Sequence, residues 1–114
     1  MATFSSLVFS GSTNGRPIKV VATGTPGTLI HATGANIDRI WLYAVNTSLA
    51  TVALTIEFGG TTNPDDLIIV GIPSQSGLVQ VVAGSPLSGS LSIRAFAAVA
   101  NAIKIIGEAS RITP

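Results

Sequence analysis

The sequence predicts an all-β protein, an antiparallel β-sandwich or jelly roll of about eight strands. Three observations carry this. Apolar and polar residues alternate with a period of two in short runs. Turn residues separate the runs at short, even spacing: Asn14-Gly15, Pro26-Gly27, Gly59-Gly60, Asn63-Pro64-Asp65, Gly84-Ser85-Pro86 and Ser88-Gly89, each supplying a positive or fixed φ where the chain must reverse. Helix is disfavoured even where alanines invite it, over residues 95–106, because Val99, Ile103, Ile105 and Ile106 are β-branched. The 114 residues supply one core and not two, so the whole chain, 1–114, reads as a single domain.

The expected strands follow in order. Residues 4–9 are neutral and β-prone, and 1–12 read as an N-terminal arm able to add a strand to a neighbour's open edge. Residues 17–22 and 28–33 come next, the second holding the single histidine, His31. Residues 37–45 carry Ile40, Leu42 and Ala44 on one side, and Trp41, Tyr43 and Val45 beside Arg39 on the other, so both faces look covered. Asn46 closes this strand and starts the turn. Over 51–58, Val52, Leu54, Ile56 and Phe58 alternate with Thr51, Ala53, Thr55 and Glu57, and over 90–97, Leu91, Ile93, Ala95 and Ala97 alternate with Ser92, Arg94 and Phe96. These two apolar sets are the expected core between the sheets. Residues 66–72, 78–82 and 102–106 complete the set, the last extending toward Ile112, with Gly107 expected to mark a bulge.

Composition then narrows the function. With no cysteine there are no disulfides or thiolate metal sites. No signal segment and no run long enough to span a bilayer is visible, so neither secretion nor a membrane role is expected. Net charge is +1, and Arg16, Lys19, Arg39, Arg94, Lys104 and Arg111 are scattered along the chain, which argues against nucleic acid. A folded monomer of this size exposes roughly 5,800 Å². The eleven charged side chains are few for that area. Either the twelve Ser and twelve Thr cover it, or part of it is buried against other subunits.

No catalytic signature appears. His31 lacks a second histidine for a metal site, and a Ser-His-Asp set drawn from it with Asp38 or Asp66 has no nucleophile elbow to support it. His31 therefore reads as a strand residue, its ring either hydrogen-bonded or exposed. Asp65 and Asp66 suit a turn; a weak calcium site with Asn63 is the alternative. Asn46-Thr47-Ser48 fits a glycosylation sequon, which has no weight without secretion. Arg39, Trp41 and Tyr43 could stack a sugar, grip a partner, or simply pack on the adjoining segment. No enzyme activity, cofactor or metal is expected.

Two stretches, Ile40-Trp-Leu-Tyr-Ala-Val-Asn-Thr-Ser48 with Ala50-Thr-Val-Ala-Leu-Thr-Ile-Glu-Phe-Gly-Gly60, and Ile93-Arg-Ala-Phe-Ala-Ala98 with Ala102-Ile-Lys-Ile-Ile-Gly-Glu-Ala-Ser-Arg-Ile-Thr113, are similar to a pattern in small structural proteins of tailed bacteriophage particles. The resemblance covers about the last two-thirds of the chain; residues 1–35 match nothing in it. It implies a capsid decoration or cement protein: β-rich, homo-oligomeric with a trimer favoured, bound to the major capsid protein on the outer surface of the head and bridging capsid subunits. The expected partner contacts are Phe4, Leu7 and Phe9 in the arm, and Arg39, Trp41 and Tyr43 on the strand at 37–45. The rival readings are a tail, neck or fibre component of the virion, and a carbohydrate-binding β-sandwich module using Trp41 and Tyr43.

Overall fold

A computed structural model describes residues 3–113, which form nine strands and no helix. They are β1 (Thr3–Val8), β2 (Ile18–Lys19), β3 (Thr28–Ala32), β4 (Ile37–Asn46), β5 (Val52–Phe58), β6 (Leu67–Ile72), β7 (Val79–Leu87), β8 (Ser92–Ala97) and β9 (Ile103–Thr113). Two antiparallel sheets pack face to face as a β-sandwich. Sheet A runs β1-β9-β4-β7, with β2 also pairing β9, and sheet B runs β3-β8-β5-β6. The pairs β9 with β1 and β2, β3 with β8, β4 with β7, and β5 with β6 nest inside one another, as in one long hairpin folded over on itself. The pairs β4–β9 and β5–β8 then join the folded halves.

The core lies where the period-two pattern points it. On β4 the even positions Ile40, Leu42 and Ala44 are fully buried; on β5 Val52, Leu54 and Ile56 are, and on β8 Ile93, Ala95 and Ala97. Burying one such aliphatic side chain stabilises by about 1.5–3 kcal/mol before ordering costs are counted. Leu91, expected among them, precedes β8 and stays exposed.

Several strands differ from the expectation. Residues 3–8 are not a free arm: β1 is an edge strand of the chain's own sheet A, paired in unbroken register with β9 from Thr3↔Thr113 to Val8↔Glu108. Met1 and Ala2 of the expected arm lie outside the described residues. β9 does not bulge at Gly107, because its register against β4 is continuous from Ile37↔Ile112 to Asn46↔Ile103. Glycine is required there for space: a Cβ would fall 2.0 Å from the Trp41 carbonyl oxygen and 3.0 Å from the Phe9 ring. The bulges lie between β4 and β7, where register shifts at Ile40/Trp41 and Leu42/Tyr43, and between β3 and β8. β7 runs through Gly84-Ser85-Pro86, which by composition reads as a turn; Gly84, at φ 81°, absorbs the irregularity.

Candidate binding surface

Register places the outward residues of sheet A in rows. Strand partners share a face, so the row at one end is Phe4, Ile112 and Ile37. The next is Ser6, Ser110, Arg39 and Pro86, followed by Val8, Glu108, Trp41 and Ala83, and then by Ile106, Tyr43 and Gln80. The last row is Lys19, Lys104 and Val45. Over the first four rows the charges among the described residues are Arg39 and Glu108 alone. Phe4 is 72% exposed, Val8 51% and Ile37 39%, while Trp41, Tyr43, Ile106 and Ile112 are partly buried. Aromatic and aliphatic surface therefore extends along much of the outer side of one sheet, the kind of patch that marks an interaction site.

The expected contact residues divide. Phe4, Arg39, Trp41 and Tyr43 all point outward on this face. Leu7 and Phe9 do not. Both have the opposite parity to Phe4: Leu7 packs against the core, and Phe9 is 1% exposed, its ring lying over Gly107 and tilted 47° to the His31 ring at 5.6 Å. Their place as partner contacts is corrected to core support, and Val8 is the arm residue that shares Phe4's side. Trp41 and Arg39 also serve the fold locally. The indole packs on Gly84, whose Cβ position lies 3.0 Å from it, and the Arg39 Nη1 donates to the Gly84 carbonyl at 3.2 Å. The Tyr43 hydroxyl accepts from Gln80 Nε2 at 3.3 Å.

The expectation that basic residues are scattered is corrected too. β2 lies antiparallel to β9 with Lys19 opposite Lys104, and Arg16 lies in the loop that leads into β2. These three cations line one open cleft of about 640 Å³ at the end of sheet A away from Phe4. Sequence reading missed it because Lys19 and Lys104 are far apart along the chain and only the pairing of β2 with β9 joins them.

The remaining chemistry is closed. His31 and Asp38 are buried and adjacent, His31 Nε2 to Asp38 Oδ2 at 2.6 Å, and Arg111 clamps the same carboxylate through Nε at 2.9 Å and Nη2 at 3.0 Å. Burial works to raise the Asp38 pKa, but the hydrogen bonds from Arg111 and His31, with the Arg111 charge, outweigh it and leave it lowered. The hydrogen bond to Asp38 raises Arg111. His31 Nδ1 accepts the Ser10 N–H at 3.0 Å, so the ring proton sits on Nε2, facing Asp38, and neither nitrogen is open to a substrate. Glu57, on the outward side of β5, is also buried. The loop 24–27 covers it, with Gly27 N donating to Oε1 at 2.6 Å and Thr25 Oγ1 to Oε2 at 2.5 Å. Asn46 is buried and donates both amide hydrogens, to the Ala50 and Ile72 carbonyls at 2.8 Å each, which fixes the turn after β4 and leaves the sequon's nitrogen occupied. Asp66 accepts the Thr62 N–H within its own turn. Among the described residues no three His, Asp or Glu side chains stand together.

No known family model, curated protein or solved structure matches the chain.

Proposed function

We propose that this chain is a structural protein of a tailed phage particle, a capsid decoration or cement protein that binds the major capsid protein on the outside of the head. The single observation that carries the reading is the outer face of sheet A, where Phe4, Ile37, Val8 and Trp41 stand in register with few charges among them. The resemblance of the 40–60 and 93–113 stretches supplies the partner. The nested strand pairing is compatible with a jelly roll, whose two packed sheets can present such a face rigidly. Subunits associate, with a trimer favoured, and the remaining apolar rows clamp adjacent capsid subunits. Many weak copies on one shell multiply into tight attachment.

The test is co-sedimentation of the purified protein with empty phage heads, together with its mass by light scattering over a dilution series. Saturable attachment to heads is the expected result, abolished in a Phe4→Ser/Ile37→Ser variant that retains the native circular dichroism. Attachment to tails or fibres only would move the protein elsewhere in the virion. Absence of attachment to any particle would sink the reading.

A further inference from the structure

We infer that the cleft beside β2 binds a small ligand bearing two or more oxyanion groups, such as a diphosphate or a polycarboxylate. The inference does not rest on the virion reading. Its first support is charge. Arg16, Lys19 and Lys104 are half of the chain's six Lys and Arg, and among the described residues no acidic one lines the cleft. Among the described residues the one Lys or Arg ion pair is Arg111 with Asp38, at the other end of the sheet, so none of the three has a carboxylate. Lys19 and Lys104 are direct cross-strand partners. Like charges so placed destabilise a sheet, and a bound anion reverses that sign.

The second support is preorganisation. Lys104 Nζ is held by Thr47 Oγ1 at 2.5 Å and by the Asn101 carbonyl at 3.2 Å, which restrains one ammonium of the cleft lining. Ser12 Oγ donates to the Phe9 carbonyl at 2.6 Å and accepts the Gly15 N–H at 3.2 Å, which stiffens the loop carrying Arg16. Arg16 and Lys19 make no side-chain hydrogen bond among the described residues, and their donors remain available. A guanidinium fork, two ammonium groups and the Thr13 hydroxyl line the cleft, donor types suited to the oxygens of phosphates or carboxylates. The volume, about 640 Å³, suits a small molecule.

The same chemistry is carried by Asp65 and Asp66 in the turn at the opposite pole, so a second copy is the competing occupant. The experiment is a titration of the isotopically labelled protein with inorganic pyrophosphate at low salt, followed by amide chemical shifts. The expected result is saturable shifts confined to residues around Gly11, Lys19, Thr47 and Lys104, with a Kd on the order of 1 mM or tighter. Added salt weakens the binding. Lys19→Gln/Lys104→Gln weakens it at least about tenfold, the loss of charge-assisted hydrogen bonds, while Arg94→Gln, on the other sheet, leaves it unchanged. Shifts that fail to saturate, or that Arg94→Gln diminishes equally, overturn the proposal. So does self-association abolished by Asp65→Asn/Asp66→Asn with the cleft amides unmoved by pyrophosphate, which would assign the cleft to a second copy.

Discussion

The two ends of sheet A treat charge in opposite ways. At one end the buried Asp38 carboxylate is answered by the Arg111 guanidinium and hydrogen-bonded to the His31 ring, a closed knot. At the other end Arg16, Lys19 and Lys104 share a cleft with no counter-charge among the described residues. The first arrangement stabilises the fold and leaves nothing for a ligand. The second costs the fold something and leaves three cations available. In a chain with eleven charged side chains, the difference separates charge that builds the structure from charge that can act on something else.

The sharpest way to break the contrast is Asp38→Ala. It takes the carboxylate away from the partly exposed Arg111 and leaves the buried His31 N–H without its acceptor, and we expect a loss of about 1–3 kcal/mol in urea unfolding. A loss below about 1 kcal/mol would mean the knot is no more than a surface pair. The pH dependence follows from the same group. Asp38 has a lowered pKa in the folded state, so its stabilisation is complete above the ordinary carboxylate range and drains away as pH falls through the lowered folded value. Asp38→Asn should therefore flatten the acid limb of the stability profile; an unchanged limb would place the acid sensitivity elsewhere. Lys19→Gln should do the reverse of Asp38→Ala and stabilise the protein, by about 0.2–1 kcal/mol, by removing the charge opposite Lys104. Thermal unfolding reads the sign directly. Smallest of all is the salt response. Raising ionic strength should stabilise the wild type slightly by screening the cleft, and Lys19→Gln should respond less.

Much of the fold is legible in the sequence, for one physical reason. Alternation reports which side of a strand is buried, so Ile40, Leu42, Leu54, Ile56, Ile93 and Ala95 identify themselves. What alternation cannot report is pairing. It places Glu57 on a polar face but does not know that the loop 24–27 folds over it. It reads Gly84-Ser85-Pro86 as a turn because a bulged edge strand uses the same residues. It makes Phe4, Leu7 and Phe9 one group although parity sets the last two inward. The outward row of Arg39, Trp41 and Tyr43 was readable, since it lies on one strand. The cationic cleft was not, because its residues meet only when β2 lies against β9.

The position of β9 governs how the molecule can assemble in time. It lies between β4 on one side and β1 and β2 on the other, and it joins Thr3 to Thr113. During synthesis the strands up to β8 leave the ribosome while the middle of sheet A is missing. The apolar edge of β4 then stays open, and β1 has nothing to bind. Closing a loop of that length is entropically costly, and folds built on such remote pairings take milliseconds to seconds. The chain should thus commit to its native state late and all at once. The interval before that step is when it is most exposed to aggregation, and a chaperone holding the nascent chain would act there.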